Sequence, residues 1–126
     1  MTALHEFMTA EVKTISEGAE VAEAAEVMVR GRFGSVVIVS GTTLMGIFTE
    51  RDVLRCAAAR QDLTTARVRD WMTPDPVTAS PDTDSSDAAQ TMMSQGFRHL
   101  PVVADNRLIG IVSLRDVLGA RIGLDP

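Results

Sequence analysis

The sequence predicts an α/β (α+β) fold in which two β-α-β-β-α repeats are related by a pseudo-two-fold axis and pack through their sheets. Displacing the chain so that Phe7 falls on Trp71 aligns its first half with its second, without a gap between Phe7 and Arg55. Residues that coincide in this alignment are called counterparts below. A repeat of this length is one supersecondary unit used twice, which favours a symmetric pair with a shared core. The continuous apolar run Val36-Val37-Ile38-Val39 indicates a strand covered on both faces. We expect repeat 1 at residues 1–61 and repeat 2 at residues 62–126, together forming one module.

Each repeat begins with a segment that we call its lead, namely residues 4–15 in the first repeat and 68–79 in the second. A short helical segment is expected at residues 4–8 and again at 68–72, and an extended piece follows at 12–15 and 77–79. Proline disfavours helical backbone in the residue before it, so Pro76 favours an extended chain in the second copy. The sequence therefore predicts the same helical turn and the same first strand in both repeats.

An amphipathic helix follows in both repeats. Its apolar residues recur at helical spacing, which is the pattern of a helix with one buried face. These residues are Val21, Ala24, Ala25, Met28 and Val29 in the first copy and Ala88, Ala89, Met92 and Met93 in the second. Glycine often ends a helix, so Gly31 and Gly96 are predicted to stop the two helices. The acidic stretch 82–87 is expected to be the solvated start of the second helix, where negative charge is favourable.

Two strands joined by a tight turn come next, and a last helix ends each repeat. The strands are expected at 35–40 and 44–48 in the first copy and at 99–104 and 108–112 in the second. Short polar turns between two apolar runs are typical of β-hairpins. The last helix is predicted to begin at Thr49 in the first repeat and at Ser113 in the second.

Composition restricts the class of protein. The chain has 126 residues, of which 45% are hydrophobic and 23% charged, as in a globular domain. Its net charge of −5 argues against nucleic acid as the main partner, because phosphate backbones bind basic surfaces. No apolar run approaches the roughly 18 residues that span a bilayer, and no signal peptide is recognisable, so we expect a cytoplasmic protein without a membrane partner. The single cysteine, Cys56, cannot form an internal disulfide and is expected to be a small apolar residue of a helix.

The motif Gly-Ile-(Phe/Val)-(Thr/Ser)-x-Arg-Asp lies where strand passes into helix in both repeats. It places a hydroxyl, Thr49 or Ser113, at the start of the helix and a carboxylate, Asp52 or Asp116, three residues later. Free backbone N–H groups and the positive end of the helix dipole can receive a phosphate there. The carboxylate can accept from both hydroxyls of a ribose, and the preceding arginine can offset phosphate charge. The two arginines are Arg51 and Arg115.

The same residues also fit a capping box, with aspartate in place of the usual glutamate. Capping alone stabilises a helix by about 1 kcal/mol and requires no ligand. The two interpretations are compatible, because a capped helix end can also bind a ligand. The motif by itself therefore leaves both open.

The motif and its setting resemble a known family. The pattern is similar to the cystathionine-β-synthase (CBS) domain, and the tandem resembles a free-standing CBS pair, or Bateman module, over about residues 4–119. Further matches are Asp70-Trp71-Met72-Thr73-Pro74 at the entry and Gly96-Phe97-Arg98-His99-Leu100-Pro101-Val102-Val103 before the hairpin. The resemblance implies a regulatory adenosine-containing ligand, namely AMP, ADP, ATP or S-adenosylmethionine, and no required cofactor or metal.

The resemblance also implies where this ligand is held. Adenine would lie against the extended lead and the start of the second strand, while the Thr/Ser and Asp of the opposite repeat hold ribose and phosphate. Apolar walls with a few convergent polar groups suit a purine. One cleft would use Val12, Lys13, Thr14, Phe33, Gly34 and Ser35 with His99, Ile111, Ser113 and Asp116. The other would use Pro76, Val77, Thr78, Phe97, Arg98 and His99 with Ile47, Thr49 and Asp52.

The two copies differ at the start of the second strand. The second copy has Arg98-His99-Leu100-Pro101 where the first has Gly34-Ser35-Val36-Val37. Only the second copy brings a cationic side chain to this position. We therefore expect the Ser113–Asp116 end, beside His99, to be the better equipped for phosphate. The alternative for His99 is an ordinary half-buried strand histidine.

Three functions are compatible with these observations. The first is a regulatory module that senses an adenosine ligand, forms a homodimer through its helices and acts through an unidentified effector protein. The second is a nucleotide-independent module for dimerisation or protein interaction. The third, an enzyme, is disfavoured because the sequence offers no activated nucleophile, metal cluster or glycine-rich phosphate loop, and hence no catalytic residues.

Overall fold

The chain folds into two compact units, and neither unit corresponds to a single sequence repeat. In the computed structural model, which describes residues 2–121, the inner unit is Lys13–Pro76. The outer unit joins Met1–Val12 to Val77–Pro126. The start of the first lead thus folds with the helices and strands of the second repeat, and the start of the second lead folds with those of the first.

The inner unit contains a four-stranded sheet. In chain order its elements are β1 (Thr14–Ser16), α1 (Val21–Gly31), β2 (Ser35–Ser40), β3 (Thr43–Thr49), α2 (Glu50–Ala58), a 3-10 turn (Val68–Asp70) and β4 (Thr73–Pro74). The strand order is β1-β2-β3-β4. β1 runs parallel to β2, and the other neighbours are antiparallel. The predicted α/β character and the β-α-β-β-α order are confirmed in this unit.

The outer unit repeats this plan with a smaller sheet. Its elements are a 3-10 turn (Leu4–Glu6), α3 (Ser85–Gln95), β5 (His99–Ala104), β6 (Arg107–Ser113) and α4 (Leu114–Arg121). β5 and β6 form an antiparallel pair. Single bridges then join Thr9 to Ile111 and Ala79 to Val102.

The extended piece predicted at 77–79 is therefore not a strand, and a proline explains the difference. In the inner unit the backbone N–H of Val37 donates to the carbonyl of Lys13 at 3.2 Å, which helps to align β1 with β2. The counterpart of Val37 is Pro101, which has no N–H to donate to Val77. Only the bonds around Ala79 remain, to Pro101 and Val103.

The helices end where left-handed backbone begins. Gly96 follows α3 with φ 76°, as predicted. In the first copy Gly31 is still helical, and the left-handed residue is Arg32, with φ 57°. α1 therefore ends at Gly31, as predicted, but the left-handed residue that follows it, the counterpart of Gly96, is Arg32. Arginine takes this conformation less readily than glycine.

The buried faces of α1 and α3 are narrower than predicted. Val29 and Met93, which the helical spacing assigned to these faces, are both exposed. The other apolar positions of the two helices supply the buried residues, namely Val21, Ala24 and Met28 in α1 and Ala88, Ala89 and Met92 in α3.

Both predicted hairpins are confirmed, each with a two-residue turn. Ser40 pairs with Thr43, and Ala104 pairs with Arg107. In the second turn Asp105 and Asn106 both have positive φ, of 51° and 62°, as a type I′ turn requires.

Each unit has its own apolar core. The lead of the other repeat contributes a buried residue to each core. Leu4 is fully buried in the outer core, and its counterpart Val68 is fully buried in the inner core. The glycine of the shared motif makes room for the lead. A Cβ on Gly46 would lie 2.6 Å from the Met72 sulfur, and one on Gly110 would lie 2.6 Å from the Met8 sulfur.

Candidate functional site

The hydroxyl–acid pair of the shared motif caps a helix in both units. Thr49 is the extended residue before α2, and its hydroxyl accepts from the Asp52 backbone N–H at 3.4 Å. In the outer unit the Ser113 hydroxyl accepts from the Asp116 backbone N–H at 3.1 Å. The predicted caps are therefore present, and each pair lies at the positive end of a helix dipole.

Both oxygens of the Asp52 carboxylate accept hydrogen bonds from residues of its own unit. One oxygen, Oδ2, accepts from the Thr49 backbone N–H at 2.9 Å and from the Thr49 hydroxyl at 3.1 Å. The other, Oδ1, accepts from Nη1 of Arg55 at 2.9 Å. The residue is only 5% exposed. Asp52 thus completes the capping box, and its charge is balanced by a cation one helical turn away.

Trp71 holds the Arg55 side chain in place. The Arg55 guanidinium lies 5.7 Å from the centroid of the Trp71 ring, within the range of a cation–π contact. Nη1 also donates to the Trp71 carbonyl at 3.5 Å. The start of α2 is therefore tied to the lead of the second repeat.

The Asp116 carboxylate is in a different environment. Asp116 is half-buried, and its carboxylate accepts no hydrogen bond from residues 2–119, the range whose side chains the structure describes. The counterpart of Arg55 in this repeat is Gly119, which has no side chain to offer. Among residues 2–119, none therefore occupies either oxygen of Asp116 at the start of α4.

Each unit gathers its predicted polar residues at one end of its sheet. His99 faces Ser113 across β5 and β6, and Ser35 faces Thr49 in the same way across β2 and β3. The lead lies beside them in the inner unit, where Thr14 pairs with Val37. Sheet register therefore brings a lead, a strand start and a helix start together within one unit.

The predicted site residues divide between the two units. The inner unit contains Lys13, Thr14, Phe33, Gly34, Ser35, Ile47, Thr49, Arg51, Asp52 and Pro76. The outer unit contains Val12, Val77, Thr78, Phe97, Arg98, His99, Ile111, Ser113, Arg115 and Asp116. Arg51 and Arg115 are both exposed. Each predicted cleft combines residues of both units, so these clefts stay predictions.

His99 is half-buried, and its surroundings favour the neutral ring. Burial lowers the pKa of His99 below its usual value, the neighbouring Arg98 lowers it further, and Asp116 acts in the opposite direction. A depressed pKa means that the unfolded chain binds protons that the folded chain does not. The contribution of His99 to stability is therefore present above the ordinary pKa of about 6.5 and is lost as the pH falls below it.

We accordingly expect the melting temperature to fall between pH 7.5 and pH 5.5, and the fall to be smaller in His99→Gln. Melting curves followed by circular dichroism across this range measure the slope. His5→Gln is the matched control, because His5 is exposed and should leave the wild-type slope unchanged. Equal slopes for wild type and His99→Gln would contradict the assignment.

The sequence-based prediction of the site did not include Arg55 or the contact that Trp71 makes with it. The spacing of Asp52 and Arg55, three residues apart on a helix, is a signal that could have indicated the ion pair. The contact with Trp71 could not be inferred in this way, because 16 residues separate the two.

Metal-ligating side chains, the single cysteine and the lengths of the helices bear on other kinds of function. Across residues 2–121 there is no cluster of three or more His, Cys, Asp or Glu side chains that could hold a metal ion. Cys56 is a residue of α2, as predicted; it is fully buried in the inner core, and burial raises the pKa of its thiol. Among the same residues, none of the helices has the length and apolar character needed to cross a bilayer.

Comparison with known proteins gives a consistent result. The model of the CBS domain family matches twice, over residues 4–59 and 68–123. The CBS domain-containing protein YhcV of Bacillus subtilis is 35% identical over 118 residues, which cover 93% of this chain and 84% of YhcV.

Two solved structures similar to this chain contain AMP. CBSX2 of Arabidopsis thaliana, in complex with AMP, is 30% identical with a TM-score of 0.85 and 98% of each chain covered. PAE2072 of Pyrobaculum aerophilum, also complexed with AMP, is 26% identical with a TM-score of 0.85, covering 91% of this chain and 89% of that one.

Proposed function

Because this chain belongs to the CBS domain family and carries two copies of the domain, we propose that it is a regulatory module that binds an adenosine-containing ligand. The ligand class is AMP, ADP, ATP or S-adenosylmethionine. One observation carries the proposal: at the start of α4 the Asp116 carboxylate accepts no hydrogen bond from residues 2–119, while Ser113 and His99 face each other beside it. The AMP held by CBSX2 and PAE2072 supports the same ligand class.

The chemistry at this helix start suits a nucleotide. Two oxygens of Asp116 can accept from the two vicinal hydroxyls of a ribose. Backbone N–H groups at the start of α4 and the Ser113 hydroxyl can donate to a phosphate. Arg115 is exposed and can offset phosphate charge. Half-buried apolar residues nearby, such as Ile111, can contact the purine.

The output is proposed to be a shift in conformational population. A ligand that binds one arrangement of the module more tightly than another changes what the module presents to an effector protein. The protein acts in this proposal as a cytoplasmic binding module and not as an enzyme.

A homodimer formed through helices is part of the proposal. Large apolar side chains are exposed on three helices, namely Val29 at 78%, Leu54 at 70% and Met93 at 53%. Val29 and Met93 are counterparts, so both repeats present one. Cys56, close to Leu54 in the sequence, cannot belong to such a contact, because it is fully buried in the core.

The second candidate, a module for dimerisation or protein interaction that binds no nucleotide, is favoured by one observation. The Asp52 carboxylate is committed to its own helix cap and to Arg55, so this helix start is complete without a ligand.

Thermal unfolding with AMP, ADP, ATP and S-adenosylmethionine distinguishes the two candidates. A ligand at 100 times its Kd should stabilise the fold by about 2.7 kcal/mol, which corresponds to a rise in melting temperature of roughly 10 °C. Cytidine monophosphate is the control, because it keeps the ribose and phosphate but lacks adenine. Native mass spectrometry of the same samples reports bound ligand and dimer. No shift with any of the four ligands would favour the second candidate.

A further inference from the structure

The starts of α2 and α4 carry the same motif, but the protein uses their carboxylates differently. Asp52 and Asp116 are counterparts, as are Arg55 and Gly119. In the inner unit Arg55 binds Asp52 at 2.9 Å. In the outer unit the glycine has no cation to supply, and the carboxylate accepts no hydrogen bond from residues 2–119. The replacement of arginine by glycine at this position therefore accompanies the difference.

Most of the hydrogen-bond acceptor positions of the Asp52 carboxylate are already occupied. A carboxylate has two oxygens with about four acceptor positions in all. Oδ2 of Asp52 uses both of its positions on the Thr49 N–H and hydroxyl, and Oδ1 uses one on Arg55. One position remains, whereas a vicinal diol that binds in a bidentate manner requires one on each oxygen. Asp52 cannot meet this requirement while Arg55 is bound.

The hydroxyls of the two caps also differ in whether their hydrogen is already donated within the unit. The Thr49 hydroxyl donates its only hydrogen to Asp52 at 3.1 Å. The Ser113 hydroxyl accepts from the Asp116 N–H and, among residues 2–119, donates to no acceptor. Its hydrogen is therefore available for a phosphate oxygen at the start of α4, whereas that of Thr49 is already used.

Besides its ion pair with Asp52, the Arg55 side chain contacts Trp71. Its guanidinium is 5.7 Å from the Trp71 ring centroid and 3.5 Å from the Trp71 carbonyl oxygen. Asp52 itself is only 5% exposed, so leaving its charge without Arg55 would cost desolvation energy. Contacts on both sides therefore keep Arg55 on the carboxylate.

We propose that Arg55 is a positioning residue that reserves the Asp52 carboxylate for the helix cap, so that each chain binds one adenosine ligand, at the start of α4. This inference rests on the proposed function and assigns its stoichiometry. Arg55 acts only through Asp52, and its replacement by a residue without a cation, as at Gly119, opens the start of α2 to a second ligand.

Equilibrium dialysis with labelled AMP counts the ligands bound per chain. We expect one AMP per wild-type chain. Asp52→Asn should leave this number at one and change Kd less than 2-fold while it lowers the melting temperature, because only a cap is weakened. Asp116→Asn should raise Kd at least 10-fold, as loss of a charge-assisted hydrogen bond implies.

Removal of the Arg55 cation provides the positive test. Arg55→Gly reproduces the second repeat, and Arg55→Met keeps an apolar stem over Trp71 if the glycine variant does not fold. We expect either variant to bind two AMP per chain, the second more weakly, and Asp52→Asn in the same background to restore one. The fluorescence of Trp71, the only tryptophan, reports whether the inner unit is folded.

The outcomes separate this inference from the proposed function. A wild-type chain that binds none of AMP, ADP, ATP and S-adenosylmethionine would overturn both. Two AMP per wild-type chain, or a 10-fold loss of affinity in Asp52→Asn, would overturn the inference and leave the proposed function intact. One AMP per chain in a folded Arg55 variant would show that Arg55 does not control the stoichiometry.

Discussion

Replacement of Leu4 by alanine is expected to lower the free energy of unfolding by about 3 kcal/mol, because a fully buried leucine leaves a cavity when truncated. Leu4 lies in the core of the outer unit, among α3, β5, β6 and α4. Its backbone N–H donates to the Thr83 carbonyl at 3.0 Å, which fixes the lead beside the start of α3. Urea unfolding followed by circular dichroism measures the loss.

The neighbouring residue provides the control for this prediction. His5 is exposed on the same 3-10 turn, so His5→Ala should change stability by less than about 0.5 kcal/mol. Val68→Ala should also be destabilising, because Val68 has the same place in the inner core. If Leu4→Ala were as mild as His5→Ala, the start of the first lead would not fold into the outer unit as described.

Replacement of Asp116 by alanine is expected to weaken AMP binding at least 10-fold, because a charge-assisted hydrogen bond contributes about 1.5–3 kcal/mol. The loss should be specific to the ribose diol. A 2′,3′-dideoxy analogue cannot donate to this carboxylate, so its affinity should be nearly the same for the variant and the wild type. Isothermal titration calorimetry with both ligands gives the two ratios.

A second carboxylate near a helix start serves as the matched control. Asp87 lies in the first turn of α3, at a helix start without the shared motif, so Asp87→Ala should leave AMP binding unchanged. Equal losses of affinity for AMP and the dideoxy analogue in Asp116→Ala would mean that Asp116 only supports the helix. The diol assignment would then be wrong.

Much of the local structure could be predicted from the sequence because the responsible interactions are local. The bounds of β2 and β5 were predicted to the residue. Thr49 and Ser113 were correctly placed at helix starts, since a hydroxyl three residues before a carboxylate is itself a capping pattern. The hairpin turn at Asp105 and Asn106 followed from residues that accept positive φ.

Departures from the prediction arise where one repeat differs from the other at a partner position. The first strand of the second repeat is reduced to a single bridge, because Pro101 has no backbone N–H to donate. The extended segment itself has the same sequence pattern as its counterpart in the first repeat. α1 ends at Gly31, but the left-handed residue after it is Arg32, the counterpart of Gly96, and not a glycine. Comparing the two copies residue by residue, and not only each pattern separately, would have indicated both.

The sequence by itself determined the repeat, the order of helices and strands, the family resemblance and the two capped helix starts. Only the tertiary structure decided that Leu4 of the first lead packs in the outer unit and Val68 of the second lead in the inner one. It also decided that Arg55 binds the Asp52 carboxylate against Trp71, whereas the Asp116 carboxylate accepts no hydrogen bond from residues 2–119. The physical reason is range. Helix periodicity, caps and turns depend on residues a few positions apart, whereas burial and ion pairing depend on side chains that only folding brings together.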